Sequence, residues 1–244
     1  MSRNKPKQSQ KKQQQPPPKS KLPLVIIASV LALALVGGWL LLSSNRSKGT
    51  DEQKNGAAQR SAAARSTAFP GADPPRAKGP ESAPAMIEEF ADYQCPSCGF
   101  FNPVLKKLKE DYGDRLRVVF RHMPLQMHRN ASLAARAAEA AGMQGRFWEM
   151  SDALYEGQKE WSELPNPRPK FAEYAQRLGL DVARFNAEID SQEIGNRILA
   201  DMRRANSIGV NSTPTVFLNG YQVTNLTEEN LRKEIDQAIV GAGR

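Results

Sequence analysis

Both cysteines of the chain fall in one four-residue stretch, Cys95-Pro96-Ser97-Cys98. No third cysteine exists to hold either of them in a structural bridge, so the pair is reserved for a small reversible disulfide or for exchange with another thiol. The flanks narrow the fold further. Met86-Ile87-Glu88-Glu89-Phe90 reads as a buried strand over residues 86–91, and Phe101, Val104, Leu105, Leu108 and Tyr112 follow at helical spacing over 96–112. A strand, a tight loop and a thiol at the start of a helix together point to redox chemistry.

The rest of the chain divides into parts of different composition. Residues 1–21 hold seven Lys or Arg, no acid and a Gln/Pro-rich remainder, the composition of a disordered tail. Leu22 to Leu42 carries no charge and is long enough to span a bilayer core as a helix, with Trp39 near its far end. A basic tail before a first span predicts a cytoplasmic N-terminus, a single-pass cell-membrane protein and a folded domain on the periplasmic or outer face. Two other readings of this run are a cleaved signal peptide, with Ala32-Leu33-Ala34 as the cleavage site, and a buried core helix. The apolar run continues past that site through Leu40-Leu41-Leu42, which favours the anchor. Residues 43–80, rich in Ala, Ser, Gly and Pro without apolar period, read as a flexible linker, and 81–244 as the folded domain.

The overall formal charge is +8, and the tail and linker hold the basic excess. The remaining domain has no net basic footprint, so nucleic acid is not an expected partner. An extracytoplasmic domain could staple itself with disulfides, and this one has no cysteines to spare for that.

Within the domain, a second strand is expected over 115–121, followed by a helical insert over about 128–208. Its helices are read at Asn130–Ala141, Gly145–Glu156, Lys170–Leu178, after a cap at Asp181, and at Gln192–Asn206. The strand Thr215–Leu218, a turn at Asn219-Gly220, the strand Tyr221–Thr224 and a Thr227-capped final helix complete the order. The expected fold is α/β: β-α-β, the helical insert, then β-β-α.

Glu89-Phe90-Ala91-Asp92-Tyr93-Gln94-Cys95-Pro96-Ser97-Cys98, helix-interior Pro103, Phe120-Arg121-His122-Met123-Pro124-Leu125 and Thr213-Pro214-Thr215 occur in an order that resembles the thioredoxin superfamily, specifically its DsbA-like branch. The resemblance covers about residues 80–242 and implies a thioredoxin-like fold with a helical insert, acting as a thiol:disulfide oxidoreductase. It implies a cis bond at Pro214 facing the thiols, and a Thr213 whose backbone pairs with an extended substrate chain. Cys95, at the helix N-terminus, is expected to be the attacking thiol and Cys98 the resolving one, with Pro96 and Ser97 setting how many amides face the Cys95 sulfur. Glu89 matches an acid that relays a proton to the buried thiol in related proteins; the alternative is a surface carboxylate at the strand end. The substrates implied are exported polypeptides, with a quinone-linked membrane protein as redox partner. No cofactor is implied, because the disulfide is itself the redox centre.

Other chemistries are weaker. Cys95, Cys98, His122 and His128 could nominally hold zinc, but nothing in their spacing makes the four converge, so no metal is expected. Phe147-Trp148 reads as insert core or as a groove lining, and Lys106-Lys107-Lys109 as a solvated helix face. The first functional reading is donation of disulfides; a reductase or isomerase is the alternative within this chemistry. A membrane-tethered holdase that grips unfolded chains is the alternative outside it.

Overall fold

The computed structural model describes residues 69–243. The basic tail over 1–21, the apolar run over 22–42 and the linker up to residue 68 lie outside the described residues. No described helix is long and apolar enough to cross a membrane.

The described residues form a sheet of β1 (Arg76–Lys78), β2 (Ala85–Ala91), β3 (Leu116–His122), β4 (Thr215–Leu218) and β5 (Tyr221–Val223), in the order β1-β3-β2-β4-β5. β2 and β3 run parallel with Ile87 opposite Val118; every other pair is antiparallel. A parallel pair needs a crossover, supplied here by α1 (Pro96–Tyr112), whose start therefore lies at the end of β2. β2 is central and covered on both faces, so Ile87 and Phe90 are fully buried.

One face of the sheet packs on α1 and on the last helix, α8 (Glu228–Ala242), through Phe101, Leu105, Leu108, Leu231 and Ile235. The other carries the insert: α2 (Ala131–Gly142), α3 (Phe147–Glu156), α4 (Gln158–Trp161), α5 (Arg168–Arg177), α6 (Val182–Glu188) and α7 (Gln192–Ser207). Seven alanines of α2 are fully or almost fully buried, so this helix lies close against its neighbours. Trp161, Phe171 and Phe185 fill the insert core without solvent exposure, and Phe147 joins them. Trp148 is only partly buried, and Lys78 Nζ stands 4.8 Å above its ring. Phe147 thus belongs to the core, as one of the two sequence readings has it.

Local signals hold where the chemistry is local. Asp181 and Thr227 cap their helices by accepting from the amides of Arg184 and Asn230. Asn219 and Gly220 both have positive φ, 48° and 83°, as the two-residue turn between β4 and β5 demands. Two features differ from the sequence reading. The first is the linker: its last part, from Phe69 to Pro80, belongs to the domain. Arg76–Lys78 pairs antiparallel with β3, the Arg121 guanidinium donates to Pro70 and Ala72 carbonyls, and Ala72 N donates to Asp201 at 2.8 Å. Small and polar composition hid this strap because its hold is through backbone bonds and arginines, not an apolar period. The second is α4, a four-residue helix too short to show periodicity.

Candidate active site

Cys95 is the N-cap of α1 with extended backbone (φ −71°, ψ 121°), and Pro96 fills the first helical position, where its missing N–H costs nothing. Cys95 is 7% exposed and Cys98, one turn deeper, is fully buried; both are free thiols. The Thr213–Pro214 bond is cis, and the loop it shapes faces the pair: Cys95 Sγ lies 3.4 Å from the Thr213 carbonyl oxygen. The Thr213 hydroxyl is buried and favours the Cys95 thiolate.

The two thiols are held at opposite ends of the cysteine range. Cys95 is pulled down to about 5, first because the Cys98 thiol donates to its sulfur, then through the Thr213 hydroxyl and the amides of Cys98 and Ser97, against an opposing push from burial. Cys98 is driven far up, first by that same bond, then by burial and by the charge of Glu89, with the Asp92 amide opposing. One thiol is thus ready as a thiolate, and the other keeps its proton.

Glu89 is not the surface carboxylate of the alternative reading. It is 3% exposed, in β2 opposite Phe120 and Val216, and burial alone pushes it up to about 8. Near neutral pH it therefore carries a proton within electrostatic reach of Cys98. Its neighbour Glu88 faces the other side of the sheet, where Arg121 and Arg204 bind it at 2.6–2.8 Å and bring it below the usual carboxylate range against burial.

The loop ahead of Cys95 is held by residues that the sequence reading passed over. Asp92, buried, accepts from the amides of Gln94 (2.7 Å) and Leu125 (2.9 Å) and from His128 Nδ1 (2.7 Å). Gln94 bridges Asn130 N and the Ser162 carbonyl, and Gln158 reaches the carbonyls of Tyr93 and Cys95. The signal for Asp92 was available: an Asp two residues before an amide that needs a partner is an Asx turn. His122 and His128 go to different carboxylates, Glu139 at 2.9 Å and Asp92, and neither joins the cysteines. Lys106 and Lys107 pair with Asp152 and Asp111 on the solvated side of α1.

A Cys-x-x-Cys at the start of a helix that follows the central strand, facing a cis X-Pro loop, defines a thioredoxin-type domain. Residues 72–237 match the family model described as thioredoxin, and the chain belongs to that family, in its DsbA-like branch. Oxidised BdbD from Bacillus subtilis superposes with a TM-score of 0.61 at 22% identity, covering 70% of this chain and 98% of its own. DsbA2 from Pseudomonas aeruginosa gives 0.52 at 30% identity, with 66% and 92% covered. Among curated proteins, the Na(+)/H(+) antiporter NhaA 3 of Salinispora tropica is 42% identical over 151 residues, which is 61% of this chain and 22% of the antiporter. The chain spans under a quarter of the length of the curated relatives it matches, and the antiporter name belongs to those longer proteins.

Proposed function

We propose that this protein is a thiol–disulfide oxidoreductase that donates disulfides to newly exported polypeptides, held at the cell membrane by Leu22–Leu42 with its N-terminus in the cytoplasm. The observation that carries this reading is the placement of Cys95 at the N-cap of α1 with Cys98 buried one turn deeper, which holds the first thiol down to about 5 and drives the second up. Stabilising the Cys95 thiolate stabilises the dithiol form, which makes the disulfide form the better oxidant.

In the forward reaction a substrate thiolate attacks Cys95 Sγ of the Cys95–Cys98 disulfide. The S–S bond breaks, Cys98 departs with the electron pair, and Glu89, protonated near neutral pH, supplies its proton. The substrate is now joined to Cys95. A second substrate thiolate attacks the substrate sulfur of that mixed disulfide and expels Cys95, whose low pKa makes it a good leaving group. Two substrate thiols have become a disulfide, and the enzyme holds both electrons. The Thr213 backbone beside the cis Pro214 offers the substrate chain a short β-pairing. A quinone-linked membrane protein is the class of partner that would take the electrons, and no separate cofactor is needed.

The reduction potential tests the direction. A value nearer about −120 mV than about −270 mV is expected for a disulfide donor; a value at the lower end would make this a reductase. Cys98→Ala should leave Cys95 joined to its substrates in mixed disulfides, and an absence of trapped partners would return the holdase reading.

A further inference from the structure

The redox loop is pinned from outside the thioredoxin-type core as well as from within it. α4 is one turn whose anchor is Trp161, fully buried, with its Nε1 donating to the Leu154 carbonyl at 2.8 Å. Just ahead, Gly157 is packed so closely that a Cβ would lie 1.9 Å from the Tyr174 hydroxyl oxygen. From this fixed turn Gln158 reaches out of the insert. Its single Nε2 donates to the Tyr93 carbonyl at 2.7 Å and to the Cys95 carbonyl at 3.0 Å.

Gly99 opens the way for that side chain. A Cβ on Gly99 would sit 3.2 Å from Gln158 Oε1 and 3.4 Å from Nε2, while the glycine's backbone is in no region that needs a glycine. The absent side chain therefore matters for space. The Cys95 carbonyl also accepts from Gly99 N at 3.2 Å, the first bond of α1. Two donors, one from the helix and one from the insert, fix a single peptide plane, and that plane sets where the Cys95 side chain leaves the backbone.

We propose that Gln158 is a positioning residue, through which the helical insert holds the Cys95 peptide and keeps its sulfur in line with the amides at the start of α1. This rests on thiol exchange at Cys95, whichever way the electrons run. Without the Gln158 donor the N-cap peptide is free to tilt, and the sulfur loses alignment with the amides of Ser97 and Cys98 that favour its thiolate.

The test uses the reduced full chain, with Gln158→Ala, Gln158→Glu and Gly99→Ala, and Lys159→Ala as an exposed neighbour. The readouts are the ultraviolet absorbance of the Cys95 thiolate against pH and the rate of Cys95 alkylation in mild acid. Gln158→Ala should raise the Cys95 pKa by about half to one pH unit, the scale of one net hydrogen bond. Gln158→Glu should raise it further, because an ionised carboxylate offers no donor and repels the thiolate. Gly99→Ala, which keeps Gln158 but crowds its amide, should raise it less, and Lys159→Ala not at all. Alkylation should slow in the same order, by about three- to tenfold for Gln158→Ala. Lower thermal stability with an unmoved Cys95 pKa in all three variants would make Gln158 merely structural and overturn the proposal. Failure of the exchange reading is a separate result, since the unaltered chain would then form no mixed disulfides.

Discussion

Glu89→Gln offers the sharpest test of the site, because burial alone displaces this carboxyl from its ordinary 4.5 to about 8. The folded protein holds a proton there that the unfolded chain releases between those two values. With the folded pKa raised, the stability tied to this proton is complete below about pH 4.5 and is lost as pH rises through about 8. Each pH unit in the window removes about 1.4 kcal/mol, so the loss is about 3 kcal/mol by pH 7 and about 5 kcal/mol above pH 8. Against a total stability of about 5–15 kcal/mol, that is a large effect. Glutamine keeps the shape but does not titrate, and its buried amide costs about 1–3 kcal/mol at every pH. The variant should therefore be the less stable protein in mild acid and draw level with or pass the native chain near pH 8. Urea unfolding of both reduced proteins across this range gives the difference directly. Every other titrating group is common to the two, so the difference isolates position 89. It should change by one proton's worth per pH unit. A difference constant to within about 0.5 kcal/mol would mean that Glu89 is not protonated inside the fold, and its place as proton donor to Cys98 would fall with it.

Two further outcomes follow from the same site and from the insert. Because Cys95 is already ionised and Cys98 is not, the reduction potential should fall by about 30 mV per pH unit between about pH 6 and about pH 8, one proton for two electrons. A slope near about 60 mV would show that both thiols carry protons there. Glu139 is fully buried and paired with Arg197, and His122 and Arg76 hold it well below the usual carboxylate range against burial. Glu139→Gln leaves this cationic cluster without its charge and should cost about 3–5 kcal/mol in chemical denaturation. A loss under about 1 kcal/mol would mean that the apolar core alone holds strap and insert together.

The parts of this fold that were legible in the sequence are those whose cause is local. The β2 run, the α1 stripe, the Asn219-Gly220 turn and the caps at Asp181 and Thr227 each arise from a few adjacent residues, and each is found within a residue or two of its expected place. The place of Cys95 and Cys98 at the start of α1 was legible for the same reason, from the residues on either side of them. The missing pieces are long-range. Nothing near Arg76 announces that it will lie against Glu139 and β3, and nothing near Gln158 announces a reach of more than sixty residues back to Cys95. A polar side chain that bonds a distant carbonyl leaves no period behind it, so Gln94, Asn130 and Gln158, which hold the loop with Asp92, surfaced only with the fold.

Glu88 and Glu89 make the limit concrete. They are identical, adjacent and both buried in β2, so composition and pattern treat them alike. Alternation along the strand sends them to opposite faces. On one face Arg121 and Arg204 wait from β3 and α7, and Glu88 stays ionised as part of the framework that also grips the strap at Pro70 and Ala72. On the other face no cation among the described residues answers the charge, so Glu89 keeps its proton and sits where Cys98 feels it. Burial costs both carboxylates the same kind of desolvation. The presence or absence of an arginine decides whether that cost is offset as structure or retained as a proton near neutral pH, and only the retained one can take part in thiol exchange.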